Sequence, residues 1–353
     1  NVVAVSISTE GGNKCNLLYF TEKTGGSCSG AVIAKTPYET TYINNGKIVM
    51  KNYESIGIDF GEYINSGIPT YFYIKPGEMF LHGTDSYAIR VPNITAANGT
   101  YYREVVMNGA DGDITLEGTR NIGIVFERNI RGSTSTILQN TAALGDNIGT
   151  TDNTNAIGNI KNLNFVLNGN KNVGILRGVK YLANELTASN PNIILNNNTV
   201  ESLVFGADSE NSTMIRSDRG RVILDRDLTF ETQLNSGKEN NFVMVANDSA
   251  ANNANSAYKA VVENKGHITF GNGMTKSTAV TAINKGLLIN SGSITINSEE
   301  SNGLLILDSS TGQYTGGNIN INGKKSLGIY NEGTLTMSGG TIVTAGDSSI
   351  GVY

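Results

Sequence analysis

The chain has no Trp and only 5 Pro, 2 Cys and 2 His in 353 residues, and each shortage excludes something. The histidines, His82 and His267, are remote from both cysteines, so no Cys/His set has zinc-ligand spacing. Charged residues are 16% of the chain, the formal net charge is −5 and no dense Lys/Arg run occurs. Neither nucleic acid nor an anionic lipid surface is therefore the expected partner. No apolar run approaches the roughly 20 residues of a helical membrane span. A basic start followed by an apolar core is also missing, so any signal peptide is expected to be already removed or to lie outside this sequence.

What is abundant is Gly, 42 residues, with Asn at least as frequent. The 39% apolar residues are spread evenly and can bury a continuous core, which argues against disorder. The length fits two or three ordinary domains or one elongated domain built from a repeat, and the low charge favours the repeat. Cys15 and Cys28 flank a Gly/Ser/Thr-rich stretch. They read as a disulfide clip, which would contribute about 3 kcal/mol and imply an oxidising or extracellular compartment, or as two unpaired buried thiols.

One frame recurs: Asn331-Glu-Gly-Thr-Leu-Thr-Met337 returns as Asn264-Lys-Gly-His-Ile-Thr-Phe270, Asn284-Lys-Gly-Leu-Leu-Ile-Asn290 and Asn44-Asn-Gly-Lys-Ile-Val-Met50. Shorter forms begin at Gly112, Gly292, Gly317 and Gly340. Asn and Gly tolerate positive φ and turn the chain, and the residues that follow alternate, placing Leu335 and Met337 inward and Thr334 and Thr336 outward. A companion element, "ESIGIDF" (54–60), "RNIGIVF" (120–126), "KNVGIL" (171–176), "SNGLLIL" (301–307), "SLGIY" (326–330) and "SIGVY" (349–353), supplies a second strand. Gly303, Gly328 and Gly351 recur at about 23–25 positions, and Gly266 and Gly286 at about 20, the range expected of a β-solenoid. A lone coil cannot bury its inward residues, whereas stacked coils cover one another. Because a bare solenoid end exposes core and strand edges, the stop at residue 353 in mid-pattern is the expectation for a segment of a longer chain.

Residues 1–105 hold most of the Pro and Tyr, with aromatic runs such as "TYFYIKPGEMF" (70–80), and read as an N-terminal cap with irregular early coils. Residues 106–353 read as regular coils with polar loop insertions near 138–160 and 232–257.

Catalytic signals are weak. "GSCSG" (26–30) has the outline of a nucleophile elbow without a nearby His, and "GNGMTKS" (271–277) lacks the Gly before Lys of a phosphate loop and reads as a turn. "DGD" (111–113) and "LDRD" (224–227) lack calcium-loop spacing. The segment "RSDRGRVILDRD" (216–227) is where a polysaccharide lyase or hydrolase would place its groups, among Asp218, Arg219, Arg221, Asp225 and Asp227. The alternative for it is a mixed-sign surface network. No catalytic, metal or cofactor residue is assigned. A recognition patch is more promising, because Tyr offers rigid amphipathic area: Tyr71, Tyr73, Lys75, Tyr87, Tyr101, Tyr102 and Arg103.

The Asn-x-Gly-x-Ile/Leu coils, the "SxGIY" elements, the low charge and the missing Trp resemble the passenger region of type Va autotransporters, in particular the large fusobacterial outer-membrane adhesins. The resemblance covers most of the chain as repeat style and carries over no functional residue. It implies a right-handed parallel β-helix displayed on the bacterial surface and tethered to the outer membrane by a C-terminal barrel that is not in this sequence. It also implies binding to host-cell glycans or protein receptors, or coaggregation with partner bacteria. The two cysteines depart from the cysteine-poor passenger pattern.

Overall fold

The computed structural model describes residues 7–9, 16–21, 31–34, 39–43, 47–51, 53–54, 56–59, 70–75, 77–91, 103–107, 112–126, 163–178, 193–196, 202–218, 220–231, 234–235, 237–248 and 260–353. The chain divides into two compact units. One comprises Asn1–Val166, Ile175–Ile194 and Asn198–Ser202; the other comprises Leu167–Gly174, Leu195–Asn197 and Leu203–Tyr353. Among the described residues the only regular element is the β-strand.

In the first unit β1 (Ile7–Thr9), β2 (Asn16–Thr21) and β3 (Ala31–Ala34) precede three turns of three strands each. These are β4 (Glu39–Ile43), β5 (Lys47–Met50) and β6 (Ile56–Asp59); β7 (Thr70–Lys75), β8 (Glu78–Leu81) and β9 (Tyr87–Val91); and β10 (Arg103–Met107), β11 (Gly112–Leu116) and β12 (Ile122–Phe126). Every third strand pairs in parallel, giving the rows β4–β7–β10, β1–β5–β8–β11 and β2–β6–β9–β12. β3 departs from the order and lies parallel to β2 on the side away from β6. β13 (Leu163–Leu167), β14 (Val173–Arg177), β15 (Ile193–Asn196) and β16 (Ser202–Phe205) lie where the chain passes between the units.

The second unit repeats the plan more regularly. Its turns are β17 (Thr213–Ser217), β18 (Gly220–Asp225) and β19 (Leu228–Phe230); β20 (Phe242–Asn247), β21 (Ala260–Asn264) and β22 (His267–Phe270); and β23 (Thr278–Ile283), β24 (Leu287–Asn290) and β25 (Ser293–Ile296). Then come β26 (Asn302–Ile306), β27 (Thr311–Tyr314) and β28 (Asn318–Ile321), β29 (Leu327–Asn331), β30 (Thr334–Met337) and β31 (Thr341–Thr344), and finally β32 (Ile350–Val352). The three strand rows are parallel throughout. Each unit is a parallel β-helix, as the repeat predicts.

The alternation after each Gly turn sets the core. Ile268, Ile294 and Ile319 stack in one column, Val222, Val262 and Leu288 in another, and Met244, Val280, Leu304 and Ile329 in a third, all fully buried. In the first unit Ile48, Met79 and Ile114 do the same. Burying one such side chain contributes about 1.5–3 kcal/mol, and its cover comes from the same position in adjoining turns. Leu335 and Met337 continue inward columns beneath Gly312 and Tyr314, but β30 is the outer strand of its row, so Leu335 is half-buried and Met337 is 50% exposed.

Two sequence readings change. The spacing of Gly266 and Gly286 is not a coil: Gly266 stands over Gly292, next to Ser293, whereas Gly286 precedes a different row and stands over Ser310. The same turn motif serves two corners of one turn. In addition, β20 falls inside 232–257, so a full core strand interrupts that polar stretch; 138–160 lies outside the described residues.

Candidate functional site

The most regular polar feature is a corner that precedes β9 and β12 in the first unit and β17, β20, β23, β26, β29 and β32 in the second. A residue with positive φ comes first: Asp85 (55°), Arg120 (56°), Asn211 (50°), Asn240 (59°), Lys276 (49°), Glu300 (52°), Lys325 (53°) and Ser348 (59°). The next residue is always Ser or Asn, and Ser86, Asn121, Ser212, Asn241, Ser277, Ser301 and Ser326 are completely buried. The left-handed conformation costs a residue with a side chain about 1–2 kcal/mol. Two bonds to the following turn offset that cost. The N–H of the positive-φ residue donates to a carbonyl one turn on, as in Lys276 to Glu299 (3.1 Å), Glu300 to Lys324 (2.9 Å) and Lys325 to Asp347 (2.8 Å).

The buried Ser or Asn makes the second bond. Ser277 N–H donates to Ser301 Oγ (3.2 Å), Ser301 N–H to Ser326 Oγ (3.1 Å) and Ser326 N–H to Ser349 Oγ (3.1 Å), with sequence separations of 24, 25 and 23 residues. Asn121 plays the same part in the first unit, accepting from Ser86 N–H at 3.0 Å and donating to the Gly83 carbonyl at 2.8 Å. The frame reading missed this corner. Its signal in the sequence is the pair Lys-Ser, Glu-Ser, Lys-Ser (276–277, 300–301, 325–326) immediately before each strand.

Because the positive-φ side chains point to solvent one above another, the corner carries a ladder of charges. Lys276 Nζ lies 2.6 Å from Glu239 and 3.9 Å from Glu300, and Lys325 Nζ lies 3.4 Å from Glu300. The hydrogen bond to Glu239, reinforced by its charge, raises the Lys276 pKa. In the first unit Arg120 grips Asp85 through both carboxylate oxygens at 2.7 and 2.5 Å, and that bond holds the Asp85 carboxyl below its ordinary value. A depressed folded pKa means the pair stabilises above the ordinary Asp range and that this contribution is lost as pH falls through the folded pKa. We expect Arg120→Ala to raise the Asp85 pKa back toward the ordinary carboxylate range, read by carboxyl NMR titration, and the depression in the parent to shrink in high salt. Beside this corner Tyr53 is 45% exposed and bridges Thr84 in the next turn, and His82 contacts Glu117 at 2.5 Å while its ring lies parallel to Phe80.

The proposed patch is only partly assembled among the described residues. Tyr71, Tyr73 and Lys75 lie on β7 and Arg103 on β10 of the same row; Glu104 pairs with Tyr71, Val106 with Tyr73 and Arg103 with Thr70. Glu39 pairs with Tyr71 on the other side. Tyr87 opens β9 in a different row, half-buried between Ile56 and Ile122. Tyr101, Tyr102, Cys15 and Cys28 lie outside the described residues.

The mixed-sign segment 216–227 resolves into local pairs. Arg216 clasps Asp218 at 2.6 and 3.1 Å, and Arg221 pairs with the buried Glu263 one turn away, with Lys265 3.8 Å from the same carboxylate. Asp227 accepts from the His267 N–H at 2.9 Å. Asp225 is exposed, and Arg219 lies outside the described residues. Among the described residues no three His, Cys, Asp or Glu converge as metal ligands. A last exposed feature is the Tyr pair of the companion element: Tyr330 and Tyr353 stack at 5.3 Å and 15°, and Tyr330 donates to Glu332 at 2.6 Å, which with burial raises its pKa.

No family model, curated protein or solved structure matches the chain.

Proposed function

We propose that the chain is a segment of a bacterial cell-surface adhesin, a non-enzymatic β-helical stalk displayed outside the outer membrane like an autotransporter passenger. It contacts host-cell glycans or protein receptors, or partner bacteria, through side chains carried on its strands and loops. The observation that supports this reading most directly is how the described charged groups are used. Arg221–Glu263 ties neighbouring turns, Asp227 holds the turn at His267, and Arg216–Asp218 closes on itself. Groups tied up in this way stiffen a scaffold and are poorly placed as an acid and base for sugar cleavage. A stiff frame also suits a surface on which many copies act together, where weak single contacts sum to avidity.

The test is binding of the 353-residue chain to a glycan array and to host-receptor ectodomains, beside a Tyr71→Ala/Tyr73→Ala variant whose circular dichroism matches the parent. Binding lost in the variant places the contact on β7. Binding retained keeps the adhesin reading and moves the contact elsewhere on the coils. Failure to bind either panel, to bind cells or to compete with bacterial attachment would overturn the reading for this segment, as would release of reducing or unsaturated sugar ends from a polysaccharide.

A further inference from the structure

The turn 271–274, part of the segment that fails as a phosphate loop, has a different chemical property. An Asn followed by Gly can lose its side-chain amide without any enzyme when the Gly nitrogen reaches the Asn Cγ. This requires an exposed, unrestrained Asn side chain and a following N–H that is not held in a hydrogen bond. The described residues contain four such pairs, at Asn168, Asn272, Asn302 and Asn322. Asn45, Asn98 and Asn108 also precede Gly and lie outside the described residues.

Three of the four are restrained. Asn168 Oδ1 accepts the Asp208 N–H at 2.9 Å, and its side chain packs so closely on Gly206 that an added Cβ there would sit 2.2 Å from Oδ1. Asn302 is within β26, where its side chain donates to Thr278 Oγ1 at 3.3 Å and Gly303 is buried against the Gly328 carbonyl. Asn322 donates to Asn297 at 2.9 Å, and the nitrogen that would attack, Gly323 N–H, is bound to the Ile296 carbonyl at 2.9 Å. Asn272 is different. It is exposed, and among the described residues neither its side chain nor the Gly273 N–H has a hydrogen-bond partner. The turn is closed around them by Met274 N–H to the Gly271 carbonyl at 3.2 Å and anchored by Gly271 N–H to the Phe230 carbonyl at 2.7 Å.

We infer that Asn272 is a site of spontaneous deamidation and isoaspartate formation. The Gly273 nitrogen bonds to Asn272 Cγ, the Cγ–Nδ2 bond breaks, and the nitrogen leaves as ammonia carrying the Gly273 proton. Water then adds to either carbonyl of the cyclic imide, giving Asp or the isoaspartyl linkage, with no redox change and no co-reactant but water. The product sets a new carboxylate in the turn whose Gly271 packs on Glu231, adding negative charge to an acidic spot. The strand rows on either side are not part of the turn.

The test is peptide mapping by mass spectrometry, with isoaspartyl-specific methyl labelling, of the whole chain aged in mildly alkaline buffer. Amide loss at Asn272 is expected to run several-fold faster than at Asn168, Asn302 and Asn322, and the four rates should converge when the chain is aged in denaturant. Gly273 is not among the described glycines with positive φ, and a Gly273→Ala variant whose circular dichroism matches the parent is expected to slow loss at Asn272 several-fold while leaving the other three unchanged. Equal rates in the folded chain, or a Gly273→Ala variant that loses the amide as fast, would overturn the inference.

Discussion

Replacing Gly317 with Ala is expected to destabilise the second unit by about 2–5 kcal/mol, the left-handed backbone term of about 1–2 added to an overpacking term of about 1–3. Gly266, Gly292, Gly317 and Gly340 occupy the same corner of successive turns, and each backbone rests on the carbonyl of the one before. Gly317 has φ +78°, and a Cβ there would lie 2.0 Å from the Gly292 oxygen. That oxygen belongs to the backbone, so no side-chain motion relieves the contact. Tyr314 restricts the corner further. Its hydroxyl lies 2.8 Å from both the Gly317 and Thr341 carbonyls, donating to one at a time, and burial raises its pKa. Gly237→Ala is the control, because Gly237 has φ +83° with nothing within 4 Å of an added Cβ. Denaturant titration with hydrogen exchange at β25, β28 and β31 reads both. If the Gly317 variant loses no more than the Gly237 variant, close stacking at this corner is not what requires glycine.

The second large effect is expected at Phe230, where truncation to Ala should cost about 3–5 kcal/mol. Phe205, Phe230 and Phe270 form an interior aromatic column, with centroids 5.4 Å apart and tilted by 43° for the first pair and 6.2 Å apart at 76° for the second. Phe230, only 2% exposed, is the member in contact with both others, so its loss forfeits two ring contacts of about 0.5–1.5 kcal/mol each besides opening a cavity. Ile296 continues the column beside Phe270, and Ile296→Val should cost only about 0.5–1.5 kcal/mol. Unfolding with exchange monitored at the β19 and β22 amides compares the two. A Phe230 variant no weaker than the Ile296 variant would mean that adjoining turns close over the gap.

The strands themselves were legible. Asn-x-Gly followed by alternating Ile, Leu or Thr becomes β22, β24 and β30, because turning and alternation are local properties of those residues. Gly303, Gly328 and Gly351 fall into one column, as their spacing implies. Which corner a turn motif occupies is a different matter, since it depends on everything between two turns, and so Gly266 and Gly286 separate. The positive-φ corner was harder to read for a physical reason. Lys, Arg and Glu have no intrinsic liking for that conformation, and what holds Lys276 or Glu300 there is a carbonyl and a Ser hydroxyl contributed by residues a full turn away. The mixed-sign reading of 216–227 matches the pairs that form, although the partner of Arg221, Glu263, lies far along the chain. For the recognition patch, sequence proximity grouped Tyr87 with Tyr71 and Tyr73, while the three-strand turn assigns them to different rows.

The corner bonds also have a direction. At Lys276, Glu300 and Lys325 the earlier turn donates and the later one accepts, both from the backbone and through the Ser hydroxyls. A stack with such polarity behaves like a one-way tongue-and-groove joint, in which any turn can follow any other provided it arrives facing the same way. The fold therefore tolerates edits counted in whole turns. Excising residues 302–326 would join Ser301 to Leu327, leave the Ser301 N–H facing Ser349 Oγ, and set β23 directly against β29. A cut from one strand to the equivalent position of the next turn, such as Leu304 to Ile329, would keep the register too, whereas losing one residue inside a strand would turn the inward side chains after it outward. Copy number of turns is thus a quantity this fold can vary while keeping its strand rows and corner bonds, with only the side chains that meet in each column exchanged.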